Sequence, residues 1–194
     1  GVGAAGTAHV DTTATSLDVS VTGAGLINLA ETNGVTLTAV DTFNGAITIT
    51  AGSDISVGLV DAGTSTVNVT SAGDIDSVTD DAVADIEGGT INLIAAVGGI
   101  GVVSDLDVTA TTVLNADTVT GDDGGILIDS IGNLSVGLIN AGAGPVTLDA
   151  TGSTDPEGKP LHYEWEQLSG PPVVLGGAPE QPMFRPPDLP TDTP

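Results

Sequence analysis

The chain has 194 residues, of which 26 are Asp or Glu and 2 are Lys or Arg, giving a formal net charge of −24. That balance excludes nucleic acid as a partner, because phosphate binding rests on Lys and Arg, and it disfavours anionic membrane surfaces for the same reason. The absence of cysteine excludes disulfides and thiolate metal sites, and no run approaches the roughly 18 consecutive apolar residues of a membrane span.

Acidity of this order often accompanies disorder, but 40% hydrophobic residues and a mean hydropathy of +0.30 argue for a folded chain. The carboxylates are spread through turns between Val, Ile and Thr triplets, which fits a solvated exterior. Self-repulsion of this size is tolerated where cations screen it, so a saline or calcium-bearing setting is expected. The start Gly1-Val2-Gly3-Ala4 lacks the basic residues and apolar run of a signal peptide, so a mature product or an internal piece of something longer is expected.

In chain order, the first strand signal is Ser16-Leu17-Asp18-Val19-Ser20-Val21, which alternates polar and apolar residues. Apolar-polar-apolar triplets then recur every 20 residues at Ile27-Asn28-Leu29, Ile47-Thr48-Ile49 and Val67-Asn68-Val69. Val35, Ile55 and Ile75 keep the same pitch, as do Leu37 with Val57 and Val40 with Val60. Turns such as Thr32-Asn33-Gly34 and Asn44-Gly45 separate the triplets. The next triplet, at Ile91, comes after a step of 24, and residues 94–113 show no readable register. The pitch resumes from Ile126-Leu127-Ile128 to Val146-Thr147-Leu148.

A fixed period with β-branched in-out-in triplets predicts an all-β fold, a parallel β-helix of about 20 residues per coil. Stacked coils also explain why Phe43 is the one aromatic residue before position 145, since a narrow interior takes aliphatic ladders more readily than large rings. A longer repeat lies over the short one: residues 47–73 match 126–152, and 34–51 match 133–150. Duplication of several coils at once is the simplest account. All 11 prolines fall from Pro145 onward, together with Tyr163, Trp165 and Phe184, so a boundary is expected there: a β-helix domain over 1–144 and a second segment over 145–194.

The phrases Gly45-Ala46-Ile47-Thr48-Ile49-Thr50-Ala51-Gly52, Gly144-Pro145-Val146-Thr147-Leu148-Asp149-Ala150, Gly99-Ile100-Gly101 and Leu106-Asp107-Val108-Thr109-Ala110-Thr111 resemble repeats of filamentous-haemagglutinin-like bacterial exoproteins. The resemblance covers roughly residues 1–150. It implies a very large secreted or surface-bound right-handed parallel β-helix used in adhesion, biofilm formation and cell contact. In the tail, Asp155-Pro156-Glu157-Gly158, Tyr163-Glu164-Trp165 and Ser169-Gly170-Pro171-Pro172 resemble the first half of a polycystic-kidney-disease-type immunoglobulin-like domain, and Gln181 to Pro187 resembles the strand that follows. That resemblance implies a partial β-sandwich whose core holds Trp165, stopping short of its last strands. Its open face would be left by a missing remainder, folded onto the end of the β-helix as a cap, or completed by a strand of another molecule, with Ser16–Val21 a candidate donor.

No catalytic residue and no cofactor site is expected. The rod carries carboxylates but, before residue 150, no Lys or Arg and only His9, which leaves a lyase or hydrolase without the groups to bind and activate an anionic sugar. Calcium is the more credible ligand, with Asp80-Asp81 and Asp122-Asp123 as candidates and Asp74 with Asp76 in a similar turn. The Gly-Gly-x-Gly-x-Asp repeat of calcium-binding β-rolls is absent, and solvated turn carboxylates are the simpler reading. Asp155 and Glu157 are assigned to turn geometry, and His9 and His162 to the surface. Thr48, Thr50, Thr70 and Thr147 outline an ice-binding type of ladder, interrupted by Asn68, Asp129 and Asp149. The expectation is a non-enzymatic, secreted or cell-surface structural or adhesive protein. It would self-associate into filaments or larger surface assemblies, with cell-surface glycan as a further partner. The alternatives are a polysaccharide-active β-helix enzyme and a glycan- or ice-binding module.

Overall fold

The structure is a computed structural model that describes residues 1–6, 8–118, 124–155, 157–165 and 173–184. The strands are β1 (Val10–Thr12), β2 (Ser16–Val21), β3 (Ile27–Glu31), β4 (Val35–Thr42), β5 (Ile47–Ala51), β6 (Ile55–Val57), β7 (Val60–Asp61), β8 (Val67–Ser71), β9 (Ile75–Ser77), β10 (Ile86–Ala95), β11 (Leu106–Asp117), β12 (Ile126–Ser130), β13 (Val136–Asn140), β14 (Val146–Asp149), β15 (Gly176–Ala178) and β16 (Gln181–Phe184). Up to β14 every strand pairing is parallel, each strand lying on the one a coil earlier. The chain is a β-solenoid of about seven turns without helix among the described residues.

Three aliphatic columns run along the rod. One stacks Val2, Ile27, Ile47, Val67, Ile91, Leu114 and Val136. A second stacks Val35, Ile55, Ile75, Ile100, Ile126 and Val146. The third runs through Val40, Val60, Ile86 and Val108. From Ile27 to Leu114 and from Val35 to Val146 these side chains are sealed from solvent. Because neighbouring strands lie about 4.8 Å apart, each residue packs directly on its counterpart in the next coil, and the period-2 alternation sends the residues between to the outside.

The regular pitch holds for three coils and then lengthens. Val67 pairs with Ile91, Ile91 with Leu114 and Leu114 with Val136, steps of 24, 23 and 22. The span left without a register holds the end of β10, the turns of residues 96–105 and the first part of β11; β10 and β11 each turn a corner and serve two faces, so no single triplet marks them. The longer sequence repeat does not map like onto like. Ile47 lies in the first column, whereas its sequence counterpart Ile126 lies in the second, on Ile100 and under Val146. Both faces accept an in-out-in triplet, and the longer coils between carry the phrase round by one face.

The outward ladder is mixed rather than threonine. Asn68 Nδ2 donates to Thr48 Oγ1 at 3.3 Å, Asn92 Nδ2 to Asn68 Oδ1 at 2.9 Å, and Asn115 Nδ2 to Asn92 Oδ1 at 2.8 Å. Glu31 is the one carboxylate in the first turns that is 96% buried, being 4% exposed. Burial pushes it up, but hydrogen bonds from the Thr12 hydroxyl and from the amides of Asn33, Ala14 and Thr32 outweigh burial and hold it below the usual carboxylate range. Glu31→Ala leaves three amides without that acceptor, and a loss of about 1–3 kcal/mol is expected in urea unfolding.

β14 stacks in parallel on β12, and β16 then adds to β14 antiparallel, with Val146 opposite Phe184 and Thr147 opposite Met183. β15 completes a hairpin with β16. Leu161–Trp165, expected as a sandwich strand, has no strand pairing. Trp165 instead packs partly against the rod's core and donates its indole N–H to the Pro179 carbonyl at 2.8 Å, while the Tyr163 hydroxyl donates to Ala150 O. Among the described residues the β15–β16 hairpin lies on the end of the rod against β14. Ser16–Val21, the candidate donor, is β2 and pairs along one side with β4.

Candidate functional site: a stacked aspartate column

The feature of the rod with the most chemistry is a column of carboxyls along one corner. Asp107 is the register partner of Asp129, and Asp129 of Asp149. Asp85 continues it in the other direction: the Asp107 amide donates to Asp85 Oδ2 at 3.0 Å, and the Asp85 amide to the Asp107 carbonyl at 2.9 Å. Each member of the β11, β12 and β14 trio sits between two buried neighbours, such as Leu106 and Val108, so the pleat turns its side chain away from the apolar interior. The parallel register then forces like charges into adjacent levels. Asp85 is 3% exposed and Asp107 1% exposed.

Partners are unequally shared. Asp85 Oδ1 accepts the Ser77 hydroxyl at 2.8 Å, while Asp107 Oδ2 is buried with no hydrogen-bond partner. Among the described residues no ion pair joins the column to a basic group, and the ion pair they hold is His9 with Asp11, at 3.0 Å. Burial pushes Asp107 up to about 7, helped by the charges of Asp85, Asp105, Asp129 and Asp81. Burial likewise pushes Asp85 and Asp129 up to about 6, and Asp129 also faces the Asp149 charge. Asp105, on the column's flank, is raised first by burial and then by the Asp80 carboxylate beside it. An unpaired buried charge is far costlier than a neutral acid, so these groups hold protons at pH values where an exposed aspartate has lost them.

The structure brings two of the four calcium candidates to this place. Asp80 and Asp81 lie exposed in the turn between β9 and β10, Asp80 against Asp105 and Asp81 within electrostatic range of Asp85 and Asp107. Asp122 and Asp123 lie outside the described residues. Among the described residues no three Asp, Glu or His side chains are arranged to hold a metal ion. Asp74 and Asp76 serve turns, accepting the Gly99 amide at 2.7 Å and the Val103 amide at 3.0 Å. Asp155 does the same for the amides of Glu157 and Lys159.

The column itself was missed at sequence level, although a signal existed: Asp85, Asp107, Asp129 and Asp149 recur at steps of 22, 22 and 20, close to one coil each. Carboxylates spaced by a coil read as independent turn residues until the register stacks them. No family model matches the chain, and no similar curated protein or solved structure is found.

Proposed function

We propose that this chain is a non-enzymatic extracellular structural or adhesive element, an acidic β-solenoid acting as a rigid spacer or filament subunit. The observation that carries the reading is the parallel register, continued coil on coil from Val2 to Val146, which makes a stiff rod whose faces repeat. The rod's carboxyls fit this role better than hydrolysis. A glycosidase needs its raised carboxyl open to the scissile bond, whereas Asp107, pushed up furthest, is 1% exposed and Asp85 3%, and the part-buried Asp129 lies between the further carboxyls Asp107 and Asp149. In this reading the Pro-rich tail is the beginning of the immunoglobulin-like domain its motifs resemble, and partners are further copies of the chain and cell-surface glycan.

The test is light scattering and electron microscopy of the purified chain at high concentration, with and without millimolar calcium. Masses well above 18.9 kDa and rods longer than one molecule are expected. A monomer under every condition overturns the assembly part, and cleavage of pectin-like or alginate-like polymers overturns the non-enzymatic part.

A further inference from the structure

Two corners of the rod carry the same dipeptide, Asn33-Gly34 before β4 and Asn44-Gly45 before β5, and the fold holds them differently. At the second corner the side chain is tied to the next coil: Asn44 Oδ1 accepts the Thr64 amide at 2.9 Å and the Thr64 hydroxyl at 2.9 Å. Gly45 is buried there, and its amide donates to Thr42 Oγ1 at 3.1 Å. At the first corner Asn33 is exposed, and its side-chain amide has no hydrogen bond among the described residues. The Gly34 N–H likewise has no acceptor among them. The loop is anchored on either side of the pair instead. Glu31 Oε1 accepts the amides of Thr32 at 2.9 Å and Asn33 at 3.3 Å, and the Val35 amide donates to the Asp54 carbonyl at 3.0 Å.

An asparagine followed by glycine is set up to close a five-membered ring. The amide nitrogen of the glycine lies next to the side-chain carbonyl carbon, and glycine has no Cβ to obstruct the approach. Attack requires loss of the N–H proton, which a hydrogen bond donated by that N–H opposes, and rotation of the side chain, which hydrogen bonds to its oxygen oppose. Both obstacles are present at Asn44 and absent at Asn33. The remaining asparagines are each followed by Leu, Val or Ala, whose side chains hinder the same approach.

We propose that Asn33 is a self-modification site: the Gly34 amide nitrogen displaces ammonia from the Asn33 side chain, and the succinimide so formed opens to aspartate or isoaspartate, while the same dipeptide at Asn44 stays intact.

The Gly34 N–H proton goes to hydroxide, the nitrogen bonds to Asn33 Cγ, and the Cγ–Nδ2 bond breaks as Nδ2 takes a proton from water and leaves as ammonia. Water then adds to one of the two ring carbonyls. Breaking the new N–Cγ bond gives aspartate; breaking the original peptide bond instead gives isoaspartate. Water is the one co-reactant, and no electrons are exchanged. Either product adds a carboxylate to a chain already at −24. Isoaspartate also lengthens the main chain by one carbon, within the loop that Glu31 ties to Thr12 and Ala14 of the preceding coil.

The test incubates the folded chain at pH 8 and 37 °C and digests it with pepsin, at an acid pH that stops the reaction. Peptides covering Asn33 and Asn44 are then scored separately, by mass for the change from amide to acid and by isoaspartyl methyltransferase for isoaspartate. Conversion at Asn33 is expected to run at least about tenfold faster than at Asn44, which must first give up one or more hydrogen bonds. In concentrated urea the two are expected to convert at similar rates. Gly34→Ala is expected to keep the Asn33 amide. Equal rates in the folded chain overturn the proposal, as does a difference that persists unchanged in urea or a Gly34→Ala chain that converts like the wild type. If Gly34→Ala loses its β-sheet circular dichroism, Asn33→Gln decides by ammonia release: loss of the fast phase supports the site, and its persistence overturns it.

Discussion

Stability falls as the pH rises from about 4 to about 7, the reverse of the usual behaviour of a protein rich in paired carboxylates. Asp107 is pushed up to about 7 and Asp85 and Asp129 to about 6, by burial first and by one another's charge second. In the unfolded chain each returns to its ordinary value near 3.8. Between those values the folded state binds more protons than the unfolded state, so unfolding free energy decreases with pH. The contribution is fully present below pH 4 and is lost as the pH passes the folded values. With discount for solvent screening and for coupling within the column, the loss is roughly 3–5 kcal/mol. For a chain of this size that corresponds to a melting temperature about 10–15 °C lower at pH 8 than at pH 4.5. Asp107→Asn removes the charge with the fewest partners and keeps the shape, so it should stabilise the chain at pH 8 by about 1–3 kcal/mol and flatten the profile. Thermal melts of both chains across this range check it; a wild-type profile that rises with pH rules out the protonated column.

Gly101→Ala is expected to be the most damaging small substitution in the rod, at about 3 kcal/mol or more. Gly101 lies at φ +68°, where a Cβ is already strained, and that Cβ would sit 2.0 Å from the main-chain carbonyl oxygen of Leu127 and 2.9 Å from the Leu106 amide nitrogen. Neither atom can swing aside, because both belong to stacked coils: the Leu127 amide donates to the Ile100 carbonyl, and Leu106 opens β11. Gly158 separates the two causes. It has nearly the same backbone angle, φ +71°, but nothing within 4 Å of the built Cβ, so Gly158→Ala carries the conformational part alone, about 1 kcal/mol. Equal losses in denaturant titrations of the two variants rule out the crowding at Gly101.

Much of the rod was legible because a solenoid writes its contacts into the sequence. When each residue packs on its counterpart one coil away, a spacing of 20 between Ile27, Ile47 and Val67 is a list of spatial neighbours, and the three stack as expected. The same reasoning failed where coils lengthen. From Val67 onward the steps vary, β10 and β11 bend through corners within one strand, and the matching phrases at Ile47 and Ile126 end on different faces. A triplet records that a strand has one buried side; it carries no mark of which side of a three-faced coil that is.

The candidate site shows the same division. The count of carboxylates and the scarcity of Lys and Arg are properties of the sequence. The depth and neighbours of each carboxylate are not. Asp80 and Asp81 drew notice as an adjacent pair, yet both are exposed, whereas the single residues Asp85 and Asp107 are the buried ones. Adjacency along an extended strand places side chains on opposite faces, while stacking joins residues a coil apart. Composition and period by themselves determined an acidic, aliphatic-cored β-solenoid. Only the tertiary structure decided that four aspartates share one corner, that Asp107 is buried with an unpartnered oxygen, and that the tail closes the last turn as an antiparallel hairpin, because register and burial are set by the coils lying on one another.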